Sequence, residues 1–242
     1  MAPKRKKTGF QPSSSFNEIV PEIEDEIVEA YAEQLGDDDT DLHLDKLPHV
    51  LDKLNIPDCF TGDIKTAVDY YYQFMHNRSY NIDDVNMKQR NTREVIFAFT
   101  ITTSTQTADD TSDIIDIDKL IRHLNMLVKF RNNYRHIVST WKMLIQESSE
   151  SNCPNTDPIN IETFQMTLPT LKNVKTSLNL DNDSHTKTPL NDGFLIDMLG
   201  CCQHDEKEHL INYSFDKQGA SIMIKDFAVI LGKLGELDEE DV

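Results

Sequence analysis

Leu42-His43-Leu44-Asp45-Lys46-Leu47 reads apolar-x-apolar-Asp-Lys-Leu, and the same string returns as Ile115-Asp116-Ile117-Asp118-Lys119-Leu120. Looser copies are Ile159-Asn160-Ile161-Glu162-Thr163-Phe164 and Ile222-Met223-Ile224-Lys225-Asp226-Phe227. Each copy runs into apolar residues at helical spacing. A self-similar unit takes precedence over local readings, because a repeat decides the whole fold. Four helix–loop–helix units follow, each with a short extended segment just before its second helix. The expected fold class is all-α, with four degenerate repeats and short paired β segments.

Outward from the first string, Pro21 opens a helix at a first-turn position that suits its fixed φ. Ile23, Ile27, Ala30, Tyr31 and Leu35 share one face of it. A second entering helix carries Phe60, Ile64, Ala67, Val68, Tyr71 and Met75. Residues 77–113 read as an insertion in the second loop, with one strand-like piece, Glu94-Val95-Ile96-Phe97-Ala98-Phe99-Thr100, and are expected to tolerate shortening between 80 and 110. Asn132-Asn133 breaks the chain before a strongly amphipathic helix with Ile137, Trp141 and Ile145. The segment from Phe164 to Leu180, which contains Pro169, is the third exiting helix. The division expected is a disordered basic tail over 1–19, a first pair over 20–131, a second over 132–235 and an acidic tail over 236–242.

This is the plan of the EF-hand, whose twelve-residue loop ends as the exiting helix begins. Position eight falls on Leu42, so position twelve, where calcium needs a bidentate carboxylate, is Lys46. In the second copy it is Lys119, and in the third Thr163. In the fourth Asp226 keeps a carboxylate, but Phe215 and Lys217 stand at positions one and three. The frame survives without an oxygen cage, and neither a calcium switch nor any other metal or cofactor is expected.

The chain has 242 residues, 24 Lys and Arg against 42 Asp and Glu, and a net charge of −18. That balance opposes a nucleic-acid backbone as main partner and suits a basic one. No apolar run approaches a membrane span, and the N-terminus carries charge without an apolar signal core. Cys59, Cys153, Cys201 and Cys202 are therefore expected as free thiols. Cys201, Cys202, His204 and His209 invite a zinc reading, which adjacent cysteines and the lack of a second Cys pair oppose. No phosphate loop, nucleophile elbow or paired-carboxylate spacing stands out, so no catalytic residues are expected. Lys4-Arg5-Lys6-Lys7, a basic cluster in an acidic chain, is a candidate nuclear import signal.

The plan resembles the centrin and calmodulin superfamily. Two stretches are similar to a yeast nucleotide-excision-repair family, Rad-thirty-three: Val20-Pro21-Glu22-Ile23-Glu24-Asp25-Glu26-Ile27-Val28-Glu29-Ala30-Tyr31-Ala32-Glu33, and Asp226-Phe227-Ala228-Val229-Ile230-Leu231-Gly232-Lys233-Leu234-Gly235. The resemblance implies a centrin-like protein without calcium ligation, a nuclear role in DNA repair, and binding to the XPC-type damage-recognition subunit. The alternative is a centrin-like light chain of a spindle-pole-body or mRNA-export complex. In either case a helix-in-groove contact is expected. Phe194 and Met198, one turn apart, and the stripe Phe227, Ile230, Leu231 and Leu234 are the candidate groove residues.

Replacing Lys4, Arg5, Lys6 and Lys7 by Ala in a fluorescent fusion is expected to raise the cytoplasmic signal. A variant that stays fully nuclear would show that the cluster does not drive import.

Overall fold

Pro21 stands in the first turn of α1 (Pro21–Ala32), with Glu22 and Glu24 beside it, where the helix dipole favours anions. The structure is a computed structural model and describes residues 13, 15–36, 40–75, 87–102, 113–148, 160–178, 195 and 221–237. α2 (Leu47–Lys53) and α3 (Asp58–Tyr70) follow, the latter running on as a π turn over Tyr71–Met75. Then come α4 (Met87–Phe99), α5 (Ile117–Asn132) and α6 (Tyr134–Ser148). α7 (Leu168–Ser177) follows strand β1 (Met166–Thr167), and α8 (Ile224–Leu234) follows strand β2 (Ser221–Ile222). The described residues are thus mostly helical, as an all-α fold requires.

The caps explain several boundaries. The Asp116 carboxylate accepts the N–H groups of Asp118 and Lys119, both at 3.1 Å, and opens α5. Lys129 and Arg131 sit in its last turn, where cations are favoured. Gly235 closes α8 at φ 82°, a left-handed position that glycine takes without steric cost.

The first two repeat strings meet. The Leu44 N–H donates to Asp113 O at 2.7 Å, and the Ile115 N–H to Leu42 O at 2.8 Å. On the other side of Ile114–Asp116 lies the end of α4. There the Asp116 N–H donates to Phe99 O at 2.9 Å, and the Ile101 N–H to Ile114 O at 3.0 Å. The fourth string pairs as well: β1 and β2 run antiparallel, with Met166 opposite Ile222 and Thr167 opposite Ser221.

That pairing corrects the register of the third copy. The segment that pairs is Met166-Thr167-Leu168-Pro169-Thr170-Leu171, not Ile159 to Phe164. It keeps apolar residues at positions one, three and six and opens a helix in its own right. Ile159 to Phe164 matched the apolar pattern, but the described part lies just outside the sheet.

A second correction concerns 94–100. Residues 94–99 are not a strand but the end of α4, and Thr100 makes a single antiparallel bridge with Ile115. Thr92, Val95, Ile96 and Phe99 are buried, and their spacing is helical. β-branched and aromatic residues favour strands locally. Packing that stripe against α3 and α5 outweighs the preference. A deletion within 80–110 that takes out Thr92 to Phe99 would therefore remove part of the core.

A third correction concerns the tail expected over 1–19. Residues 15–17 form a short 3-10 turn, and Phe16 is 1% exposed. Its ring stacks near Phe130, with centroids 6.2 Å apart, and the Ser13 N–H donates to Lys233 O at 2.9 Å. The Asn125 amide donates to Glu18 O at 3.0 Å, and the Lys129 ammonium donates to the carbonyls of Ser15, Phe16 and Glu18 at 2.8–3.0 Å. The segment is a strap across α5 that ends against α8.

One hydrophobic core runs through both expected pairs. Phe60 of α3 sits between Phe130, at 5.3 Å, and Tyr134, at 6.1 Å, joining α3, α5 and α6. Gly232 completes the strap's seat, because a Cβ there would collide with the Phe16 ring. Gly232→Ala is expected to destabilise by about 1–3 kcal/mol through overpacking, and Phe16→Ala by about 3–5 kcal/mol through loss of the ring. Denaturant unfolding of both single variants and the double should show the Gly232 cost largely gone once the ring is gone. Additive costs would mean that the two residues do not act on each other.

Candidate functional site

The candidate surface is built on α8. Its residues alternate between two faces because apolar positions recur every three or four residues. Ile224, Phe227, Ala228 and Leu231 point inward and are buried; Val229 and Ile230 are half-buried; Leu234 is 51% exposed. Phe227 lies 5.2 Å from Trp141, ring to ring, and Phe164 stands edge-on to the same indole at 6.0 Å. The indole N–H donates to Ile161 O at 3.1 Å. Of the predicted groove residues, Phe227 and Leu231 are thus core. Ile230 and Leu234, one turn apart, are the part of the stripe that reaches the surface. Phe194 and Met198 lie outside the described residues, as do Lys4, Arg5, Lys6, Lys7, Cys153, Cys201, Cys202, His204, His209 and residues 238–242 of the acidic tail.

α8 is held in register by a buried ion pair. The Lys225 ammonium donates to both oxygens of Asp63 on α3, at 2.7 and 2.8 Å, and the two side chains are 3% and 6% exposed. Charges leave water at high cost, so each needs the other in place. Sequence reading missed this pair. The available signal was a lysine directly between Ile224 and Asp226-Phe227, on the first turn of a helix otherwise apolar on that side.

The fifth residues of the four strings, at which a metal-binding loop would present its last ligand, show what this chain does instead. Asp226 accepts the Met223 N–H at 2.8 Å, so its carboxylate caps α8. Thr170 accepts the Thr167 N–H at 2.6 Å and caps α7 in the same way. Lys119 donates to Phe97 O at 3.0 Å, Thr100 O at 2.7 Å and the Thr102 hydroxyl at 3.0 Å. Among the described residues, half-exposed Lys46 reaches only its neighbour Asp45, at 3.6 Å. In three of the four copies this side chain is committed to protein groups.

At the other end of α8 a cavity of about 390 Å³ lies between α6 and residues 160–162, lined by Tyr134, Val138, Lys142, Asn160, Ile161, Glu162 and Ile224. Nearby Cys59 is pushed up to about 12, mainly by burial and further by Glu162, so its thiol stays protonated at neutral pH and is a poor nucleophile. At the opposite side of the core, Arg131 grips Glu26 with both guanidinium nitrogens and also donates to Leu54 O at 2.7 Å. The Arg131 hydrogen bond holds the Glu26 carboxyl below its ordinary range. These contacts fix helices; among them is no nucleophile activated by a base.

A sequence model of the Rad33 family matches residues 13–183, most of the chain. The match begins at the strap and ends just beyond α7, so α8 lies outside it. No curated protein and no solved structure matched the chain.

Lys225→Ala takes away the ammonium that donates to both oxygens of the buried Asp63 and is expected to cost about 3–5 kcal/mol. Lys225→Met with Asp63→Leu should cost clearly less, because no charge remains to be desolvated. Chemical denaturation of the two proteins measures the difference. Equal losses would show that packing, not charge, holds α8 on α3.

Proposed function

The chain belongs to the Rad33 family, whose role lies in nucleotide excision repair, and from that premise we propose that it is a non-catalytic nuclear subunit that binds and stabilises the XPC-type damage-recognition factor. The family match over residues 13–183 carries this reading. The architecture we propose is a centrin-like set of four EF-hand-like units that hold their shape without calcium. Two features support it. The strings pair in twos, Leu42–Leu44 with Asp113–Ile115 and Met166–Thr167 with Ser221–Ile222. Their fifth residues are occupied by helix capping or by a lysine rather than left to a metal.

The partner contact is a helix laid against the exposed end of α8. Ile230 and Leu234 supply the apolar anchors there, with Phe194 and Met198 proposed as further partner-binding residues. Phe227 and Leu231 set the position of that surface from beneath. The net charge of −18 favours a partner helix with basic flanks, and makes encounter faster at low salt. No helix of the described residues is long and apolar enough to cross a membrane. Binding is constitutive on this reading, and chelators leave it unchanged.

Affinity purification from nuclear extract should recover a DNA damage-recognition factor. Recovery of pole-body or mRNA-export proteins in its place would overturn the assignment. Leu234→Asp is expected to weaken partner binding by more than about 2 kcal/mol if Leu234 is an anchor. Because Leu234 is exposed, the variant should melt like the parent. Native affinity in a folded variant would put the interface elsewhere.

A further inference from the structure

The side chain of Lys119, in the second repeat string, reaches back to the end of α4. Its ammonium has three hydrogens and meets three oxygens: Phe97 O at 3.0 Å, Thr100 O at 2.7 Å and the Thr102 hydroxyl at 3.0 Å. That satisfies the full donor capacity of a lysine. Two of the oxygens are carbonyls at the end of α4, where a helix has acceptors without intrahelical donors and the negative end of its dipole. The Asp116 carboxylate adds negative potential nearby. Burial holds the lysine below its ordinary pKa range, and Asp116 works against that shift. Lys46 holds the same place in the first string, yet among the described residues it faces only Asp45, at 3.6 Å, and is half-exposed. The oxygen cage is therefore a property of the place between α4 and α5, not of the string.

We propose that the end of α4 and the start of α5 form a cation site whose resident cation is the chain's own Lys119 ammonium, which locks the two helices together as a bound metal would. The site consists of two main-chain carbonyls and a hydroxyl, a shell that suits a monovalent or ammonium-type cation rather than a divalent one. A tethered cation is always present, so the α4–α5 angle does not follow cellular ion levels. The inference rests on this local geometry and stands apart from the partner assignment.

The test is chemical rescue in the full chain. Lys119→Ala empties the site, and Lys119→Met fills it with an apolar stem. Thermal melting is followed by circular dichroism in methylammonium chloride and, at equal concentration, in tetramethylammonium chloride, which is too large to enter. Both variants should melt below the parent. Methylammonium should raise the Lys119→Ala midpoint in a saturable way; tetramethylammonium should not. Neither salt should distinguish itself on Lys119→Met or on the parent. If Lys119→Ala is unfolded at all temperatures, the recovery of helical signal on adding methylammonium is read in its place. A Lys119→Met protein that melts with the parent overturns the proposal, because the charge is then not needed. So does a Lys119→Ala protein that methylammonium leaves unrestored.

Discussion

Lys225 is a positive charge set among apolar side chains, and Asp63 is what makes that position tenable. The pair joins α8 to α3 across more than half the chain, with both carboxylate oxygens engaged. An unpaired ion in that place would cost several kcal/mol, so α8 has a single seat. Other features follow from it. Phe227 comes against Trp141, and Gly232 comes under the strap. Leu234 is left at the surface. Position along the helix axis is set by a directional contact, which apolar packing alone specifies less sharply.

The chain is strongly acidic, yet its lysines hold the interior together. Lys129 fastens the strap, Lys119 fastens α4, and Lys225 fastens α8. In two of these three the acceptors are mainly main-chain carbonyls near helix ends or in irregular backbone, groups that need a donor when water is excluded. Long flexible lysine stems reach such groups where no regular ladder does. The acids, by contrast, lie mostly on outer faces: Glu22, Glu24, Asp25 and Glu29 of α1 are all exposed. This partition keeps the surface field negative while the lysine of one ion pair is buried and two more serve main-chain carbonyls at the edge of the core.

The constitutive binding proposed above draws on this frame. Asp116, Thr170 and Asp226 cap its helices, and Lys119 and Lys225 join helices to their neighbours. The mobile quantity in a calcium sensor is the angle between helices; here the fifth side chain of three of the four strings is engaged by protein groups.

Much of the plan was legible along the chain because it is local. The strings at Leu42, Ile115 and Ile222 mark where the backbone pairs, since an apolar-x-apolar segment ahead of a helical stripe is a pattern of neighbouring residues. Pro21 and Asn132-Asn133 mark helix limits for the same reason. The tertiary structure alone decided the rest. Met166 displaced Ile159 as the third pairing residue because the partner strand, not the string, selects the register. Residues 94–99 became helix because α3 and α5 bury one helical face of them, against their local preference. Phe16 left the tail for the core because Gly232, far away in sequence, leaves room for its ring. Lys119 and Lys225 carry the same side chain as exposed Lys46; only the oxygens that the fold brings within reach make them internal cations.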